Sequence, residues 1–339
     1  MKSLRFILSA IVIVLYSFSL SAQSNYRIAN KIHVDGEGGW DYLSVDNANG
    51  RIFVSHATVA QAVDIKTGKL AGTIPDTKGI HGIAIAADLN KGFTSNGRDS
   101  SVTVFNLRTL EVISKIQIPA KNPDAILYDP FSHKLFTFNG RSSNATVIDA
   151  ASNKVIVNIP LGGKPEFAVT NGKGKIFVNI ETKNSISEIN TSTLKVVKTW
   201  SIAPGESPSG LAFDVEHNRL FSVCDNKLMI VSDAVAGKVI TSVPIGDGPD
   251  GAAFDPGLMR AYSSNGDGTL TVVQELNPNK FKVLENVPTQ PGARTITIDK
   301  ATHHLYLPTA EYESASTQKN RRPSMKPNSF TILDVEPLK

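Results

Sequence analysis

Short apolar runs alternate with turn-forming residues along almost the whole chain. Runs such as YLSV, GIAIA, AILY and GLAF are followed by turns such as DNANG, DPFSH and DVEHN, and then by a second short run. Short runs separated by Asp, Asn, Pro and Gly are typical of antiparallel hairpins. The pattern therefore predicts an all-β protein made of short strands.

An aromatic residue recurs in the second run of each unit, at intervals of 40 to 44 residues. The column comprises Phe53, Phe93, Phe136, Phe177, Phe221, Tyr262 and Tyr306. A third run such as NATVID and a fourth such as KVIVNIPL complete most units. Four strands in a period of about 42 residues, repeated seven times, predict a seven-bladed β-propeller with four-stranded antiparallel blades.

The two ends of the chain complement each other. The last unit has no fourth strand after FTILDV, whereas the early segment NYRIANKIHVDG resembles the fourth strands that precede each later unit. We expect this N-terminal strand to complete the last blade, because the ring would then close without an exposed sheet edge.

Residues 1–22 have the features of a secretory signal peptide. Lys2 and Arg5 precede an apolar run that ends in small residues at Ala22, as in exported proteins. The alternative is an uncleaved anchor, but the apolar run is short for a bilayer span. We expect residues 23–339 to form one propeller domain, periplasmic or secreted, with no membrane span after removal of the signal peptide.

Composition and charge argue against nucleic acid as a partner. The chain is 41% hydrophobic and 19% charged, and its formal charge of +4 includes Lys2 and Arg5 of the leader. The mature charge of about +2 gives no basic surface for nucleic acid. Cys224 is the single cysteine, so no internal disulfide can form. We expect a monomer whose partner is a small molecule or an envelope protein.

A second column opens the first strand of each unit and consists mainly of charged residues. It comprises Asp41, His81, Asp124, Glu166, Ser209, Asp250 and Arg294. Strands of a blade alternate in direction, so the start of the first strand and the end of the second emerge on the same face, beside the channel. We expect the column to line one mouth of the channel together with the residues after the second strand, namely His56, Asn96, Asn139, Glu181, Asp225, Asn265 and Glu311.

The mouth residues suggest a divalent metal site. Imidazole and carboxylate groups are common ligands of such ions, and the candidate ligands are Asp41, His56, His81 and Asp124. The simpler alternative is that these polar side chains line a water-filled pore without a metal. No spaced ligand motif decides between the two.

Two further features belong to the same face. Arg98 and Arg141 occur in repeated NGR sequences on neighbouring loops, where they and Arg294 could bind a carboxylate or phosphate; exposed, solvated arginines are the alternative.

Residues 310–328 form a long insertion between the second and third strands of the last blade. This loop is a candidate lid over the mouth, with Tyr312, Lys319, Arg321, Arg322 and Lys326 as its notable residues, or a flexible charged excursion.

Several other residues are assigned structural roles. His133, His217, His303 and His304 fall in turns on the opposite face, where we expect them to be solvated. Cys224 is predicted to be packed rather than catalytic. Trp40 and Tyr42 are the only aromatic candidates for base stacking at the mouth, which is too few for a single-strand binder.

Two phrases, VIDAASNKVIVNIPLGGKPEFAVTNGKGKIFV and ESPSGLAFDVEHNRLFSV, resemble the YVTN-repeat or YncE-like seven-bladed propellers. The resemblance covers essentially the whole mature chain, with FTSN, FTFN and YSSN in place of the motif that names the family. It implies the propeller fold. Similar propellers include lactonases and lyases with a metal, or a histidine with carboxylates, at the channel mouth, and one relative is associated with single-stranded DNA.

The leading hypothesis is a binding or scaffold protein of the bacterial envelope that holds its ligand at the channel mouth. The alternative is a propeller enzyme of the metal-assisted lactonase or lyase type. In that enzyme His81 would be the general base, Asp41 and Asp124 its orienting groups or co-ligands, and Arg294 an electrophilic clamp. No nucleophile elbow, phosphate loop or dinucleotide motif is present in the sequence.

Overall fold

The computed structural model describes residues 24–313 and 324–338. The predicted signal peptide lies outside the described residues. So do Lys319, Arg321 and Arg322 of the inserted loop.

The described chain folds into seven four-stranded antiparallel sheets. The first strand, β1 (Tyr26–His33), belongs to the last blade. Blade one contains β2 (Trp40–Asp46), β3 (Arg51–His56), β4 (Val59–Asp64) and β5 (Leu70–Ile74). Blade two contains β6 (Ile80–Ala86), β7 (Lys91–Asn96), β8 (Ser101–Asn106) and β9 (Val112–Gln117). Blade three contains β10 (Pro123–Asp129), β11 (Lys134–Asn139), β12 (Asn144–Asp149) and β13 (Lys154–Pro160).

The remaining blades repeat this order. Blade four contains β14 (Pro165–Thr170), β15 (Lys175–Ile180), β16 (Ser185–Asn190) and β17 (Lys195–Ser201). Blade five contains β18 (Pro208–Asp214), β19 (Arg219–Cys224), β20 (Leu228–Asp233) and β21 (Lys238–Pro244). Blade six contains β22 (Pro249–Asp255), β23 (Arg260–Asn265), β24 (Thr269–Asn277) and β25 (Lys280–Pro288). Blade seven contains β26 (Thr297–Asp299), β27 (His304–Thr309) and β28 (Thr331–Pro337), followed in the sheet by β1.

Helical structure in the described residues is confined to three short 3-10 turns, Ala87–Leu89, Gly140–Ser142 and Glu181–Lys183. No helix in the described part of the chain has the length and apolar character needed to cross a membrane.

The ring closes where the sequence predicts. Strand β1 pairs antiparallel with β28, from Tyr26 opposite Pro337 to His33 opposite Thr331. The N-terminal strand therefore supplies the fourth strand of blade seven, and the last blade has the same number of strands as the other six.

The aromatic column forms the core between blades. All seven of its side chains are at most 2% exposed. Phe53 of blade one packs against Phe105 of blade two with ring centroids 5.3 Å apart, and Phe221 of blade five stacks on Phe254 of blade six at the same distance. The hydrophobic core is thus divided among the interfaces between neighbouring sheets, and each interface depends on residues from two blades.

A buried pair of hydroxyl groups joins the closing strand to blade six. The Tyr26 and Tyr262 hydroxyls lie 2.8 Å apart, and Arg260 donates to Tyr26 at 2.8 Å. We expect Tyr262→Phe to lower the free energy of unfolding by about 0.5–1.5 kcal/mol, the usual net value of one hydrogen bond. Urea denaturation would measure the change.

Tyr306→Phe is the matched control for Tyr262→Phe. It belongs to the same column and is 1% exposed, but its hydroxyl hydrogen-bonds no other described residue. Equal losses of stability in the two variants would show that the hydroxyl pair does not stabilise the closure.

Candidate functional site

A β-bulge positions the charged column in six of the seven blades. At the start of each first strand, the pairing with the second strand skips a residue, as between Pro123 and Ile126 of blade three. The corresponding shifts occur in the other blades with a bulge. A bulge bends the strand and re-aims the unpaired side chain. The column residue, such as Asp124, falls inside this bulge at the edge that faces the channel.

Neighbouring blades fix the backbone of the column residues. The Ser95 hydroxyl of blade two donates to the Asp124 carbonyl of blade three, and the Ser264 hydroxyl of blade six donates to the Arg294 carbonyl at 2.5 Å. Thr295 donates to the Asp41 carbonyl at 2.6 Å. These bonds cross the blade interfaces, so the column is held by the ring as a whole.

All seven column residues line one cavity of about 330 Å³. We call this cavity the polar mouth. Its charged lining consists of six carboxylates and three basic groups, and the complete set is Asp41, Asp124, Glu166, Glu181, Asp225, Asp250, His81, Lys164 and Arg294. Carboxylates outnumber basic groups, so the mouth has a negative potential even with every basic group charged.

The first part of the mouth is a histidine between two carboxylates. His81 Nδ1 lies 2.7 Å from Asp41 Oδ2 and 3.6 Å from Asp124 Oδ1. Burial by itself lowers the pKa of His81, but the hydrogen bond that its Nδ1–H donates to Asp41 and the charges of Asp124 and Asp41 outweigh it and raise that pKa to about 9. At neutral pH His81 therefore holds its proton, and it suits the role of a hydrogen-bond donor or acid better than that of the general base expected from the sequence.

The other two basic residues of the mouth also form ion pairs with carboxylates. Lys164 Nζ lies 2.5 Å from both Glu166 Oε1 and Glu181 Oε2. Across the cavity, Arg294 Nε lies 2.7 Å from Asp250 Oδ2. Arg294 thus pairs with the neighbouring blade rather than lying near Glu311, which is exposed and pairs with Lys326 at 2.9 Å.

Desolvation and mutual repulsion perturb the carboxylates. Burial, followed by the charge of Asp124, raises the pKa of Glu166 to about 8. Burial also raises the pKa of Asp124 to about 6, against the lowering effect of His81. A raised pKa means that the site disfavours the charged form of the carboxylate. An additional positive charge at the mouth would therefore lower the electrostatic free energy of the site.

The structure places four further predicted mouth residues, in addition to Glu311, away from the cavity. His56 is 2% exposed, with its ring 4.2 Å from Phe330 and Nδ1 bonded to Gln61 at 2.7 Å. Asn96, Asn139 and Asn265 are 0% exposed and bond to Ser and Thr or Asn side chains of their own blade. Each is the last residue of a second strand, and its side chain points into the sheet interface. Glu181 and Asp225, one residue beyond that position, do line the mouth.

The metal hypothesis keeps three of its four candidate ligands. Asp41, His81 and Asp124 offer ligand atoms that all lie within 4.8 Å of one another. His56 is excluded from the set by its burial behind Phe330. Binding at this group would require loss of the Nδ1 proton of His81.

The two arginines of the NGR sequences and the ends of the inserted loop lie outside the lining of the polar mouth. Arg98 and Arg141 are exposed and do not line the polar mouth. The described ends of the inserted loop form a short ladder, in which Tyr312 bridges Met325. Tyr312 also packs near Trp40, with ring centroids 6.5 Å apart.

The two aromatic candidates for base stacking are buried. Trp40 packs on Phe330 at 5.4 Å, and Tyr42 packs on Phe167 at 5.2 Å; each is 7% exposed. Tyr42 and Phe167 also line a second, more apolar cavity of about 370 Å³ that follows the first strands along the channel. Tyr42 therefore separates the polar mouth from an apolar channel.

Sequence reasoning missed two features. Lys164 was not identified, although it stands two residues before Glu166 in a loop that precedes each first strand. The turn histidines are also not simply solvated, because His217, His303 and His304 contact Asp214, Asp255 and Asp334 at 2.6, 2.8 and 2.6 Å. Cys224 is buried, as predicted.

Comparisons with solved structures identify the fold. The chain is similar to the structure titled "Kuenenia stuttgartiensis Hydrazine Synthase", with 17% identity and a TM-score of 0.69 over 81% of this chain and 94% of that one. It is also similar to U3-55K and to the WD40 repeats of RRP9, each with 10% identity and a TM-score of 0.76, over 93% and 94% of this chain and 98% of theirs. No protein-family model and no curated protein matches the sequence. These likenesses support the seven-bladed propeller and nothing finer.

Proposed function

We propose that this protein is an exported binding propeller of the bacterial envelope that holds a small organic cation, such as a protonated amine, at its polar mouth. The observation that carries the proposal is the excess of carboxylates around one cavity of about 330 Å³. A cavity of this size falls in the range of small-molecule sites. The fold hosts many activities, so the argument rests on the mouth and not on the propeller itself.

Two carboxylates of the mouth are available to a ligand. The carboxylates of Asp124 and Asp225 line the cavity and accept no hydrogen bond from a described residue. An ammonium group offers three donors and a positive charge. It would satisfy these acceptors and reduce the repulsion between carboxylates, which, after burial, raises the pKa of Asp124 and Glu166.

An organic cation fits the mouth better than a metal ion. The compact group Asp41, His81 and Asp124 already contains the proton of His81 as its positive charge. A metal ion would have to displace this proton, whereas an amine can bind beside the existing ion pair. The cavity is also much larger than the space around one ion.

Calorimetric titration with putrescine, agmatine and choline tests the proposal. We expect at least one of them to bind wild-type protein, and Asp124→Asn to weaken its affinity about tenfold or more, because a close charge pair in a partly desolvated site is worth about 1.5 kcal/mol or more. Glu111→Gln is the matched control, since Glu111 is exposed and does not line the mouth.

Each outcome of the titration has a definite meaning. Binding that is unchanged by Asp124→Asn would refute the mouth as the site. Failure of all three amines, together with Zn²⁺ binding that His81→Ala abolishes, would replace the amine with a metal ion. Failure of both amines and metal ions would refute a cation-binding role.

Export and family membership form the second half of the proposal. The charged start, apolar run and small residues of the first 22 positions support export, and the repeated phrases support a YVTN-repeat or YncE-like assignment. Fractionation of cells, followed by N-terminal sequencing of the mature chain, tests the location. A start near Gln23 in the periplasmic fraction is expected, and an intact Met1 in the cytoplasm would contradict it.

A further inference from the structure

One position near the end of the third strand carries an unusual residue in blade six. In the first six blades, the residue at this position donates its backbone N–H to the turn between the first and second strands of the same blade. This shared bond identifies the equivalent residues as Ile65, Leu107, Ala150, Thr191, Ala234 and Glu275. Five blades use an apolar residue or threonine, and blade six uses a glutamate.

Glu275 is buried and lacks hydrogen bonds. The residue is 4% exposed, and neither carboxylate oxygen accepts a hydrogen bond from a described residue. Burial of a carboxylate without compensation costs several kcal/mol. The first five blades avoid this cost with isoleucine, leucine, alanine or threonine, so the fold itself does not require a carboxylate here.

The Glu275 carboxylate faces two potential ligands from blade five. His217 Nδ1 lies 2.6 Å from Asp214 Oδ2 and 3.3 Å from Glu275 Oε1. Ligand atoms of the three residues all lie within 4.8 Å of one another. Asp214 is 2% exposed, while the His217 side chain is 29% exposed, so the group is open to solvent on the histidine side.

The nearby arginine is engaged elsewhere. Arg219 donates through Nε to the Pro278 carbonyl and through Nη1 to the Asn218 carbonyl, and it pairs with Asp233 at 3.2 Å. The basic side chain that both carboxylates of the group contact is therefore His217.

Part of this arrangement is ordinary turn structure. The aspartate that ends the first strand accepts a side-chain hydrogen bond from the residue three positions later in other blades as well. The donors are Asn49 to Asp46, Ser132 to Asp129 and Thr302 to Asp299. His217 occupies the same turn position, so the contact with Asp214 alone indicates no ligand. The buried, unbonded carboxylate of Glu275 is the independent feature.

We infer that Asp214, His217 and Glu275 form a binding site for a divalent transition-metal ion of the zinc class, on the face opposite the polar mouth. One imidazole and two carboxylates supply three of the four ligands that zinc takes, and water from the exposed side supplies the fourth. Binding would give both oxygens of the Glu275 carboxylate a positive partner. His217 would ligate through Nδ1, with its proton released or carried on Nε2.

A proton is the competing occupant of this site. Burial, followed by the charge of Asp214, raises the pKa of Glu275 to about 7. A proton shared between the two acids would also relieve their repulsion. The experiment must therefore detect the metal itself.

Cobalt and zinc titrations test the site. We expect wild-type protein to bind one Co²⁺ with visible absorption bands that Zn²⁺ abolishes by competition. Glu275→Ala should weaken Zn²⁺ binding at least tenfold and remove the increase in melting temperature that Zn²⁺ causes. Its fold should persist, because alanine occupies the equivalent position in blades three and five.

A second pair of variants separates this site from the mouth. His217→Asn keeps the side-chain bond of the turn, as Asn49 does in blade one, but should lose Zn²⁺ binding to the same extent as Glu275→Ala. The double variant His81→Ala, Asp124→Asn should keep it. Loss of Zn²⁺ in the mouth variant alone, equal affinity in Glu275→Ala and wild type, or no bound metal in any protein would each overturn the inference.

Discussion

A chain that begins at Asp35, and so lacks strand β1, is expected to lose cooperative folding. The deletion removes the fourth strand of blade seven and leaves the edge of β28 unpaired along the register from Thr331 to Pro337. Ile32 and Val34 are 4% and 2% exposed, and the burial of each contributes about 1.5–3 kcal/mol. These losses, together with the lost backbone pairing, approach the total stability of a typical domain, about 5–15 kcal/mol.

Calorimetry and circular dichroism would measure this effect. A chain that begins at Gln23 is the control, and it should show one sharp transition. Addition of a peptide with the sequence of residues 24–34 to the shorter chain should restore part of that transition, because the peptide can pair with β28. An unchanged melting temperature in the chain that begins at Asp35 would show that the ring does not depend on its closing strand.

Stability is expected to fall as the pH rises from about 5 to 9, mainly because of Glu166. Its pKa rises from the ordinary 4.5 to about 8 in the folded protein, chiefly through burial. The folded state therefore binds more protons than the unfolded state between these values, and stability decreases with pH through this window. The shift corresponds to an effect on the order of 3–5 kcal/mol. His81 acts in the same direction, since its pKa rises from 6.5 to about 9 and its stabilising charge is lost through that range.

Urea denaturation at pH 5, 7 and 8.5 checks the direction and the residue. Glu166→Gln should flatten the pH dependence and be more stable than wild type at pH 8.5, because the amide has no charge to desolvate. Glu111→Gln should retain the wild-type slope. A slope that is identical in Glu166→Gln and wild type would assign the pH dependence to another group.

The propeller fold could be predicted from the sequence because the sequence repeats. Phe136 and the other aromatic residues of the column recur at a constant place in each unit, and burial between blades is the physical reason for their recurrence. The role of β1 followed from the missing strand of the last unit, because an open sheet edge is unfavourable.

The column of charged residues lines the mouth, as the sequence predicts, but most of the residues predicted after the second strands do not. Asp124 and its equivalents in the other blades with a bulge face the channel, whereas Asn96 and Asn139 end their strands with side chains turned into the sheet interface. Successive residues of a strand point to opposite faces. An error of one position in the predicted strand end was therefore enough to place these residues on the wrong side.

Local pattern and period were sufficient for the number of blades, the strand order and the closing strand, because apolar alternation and turn residues act on neighbouring positions. The contacts within the two candidate sites, in contrast, form only when the blades come together in the ring. His81 meets Asp41 and Asp124 from three blades, and Glu275 meets His217 across a blade interface. Their distances, burial and pKa shifts depend on how adjacent sheets pack, which no local sequence pattern specifies.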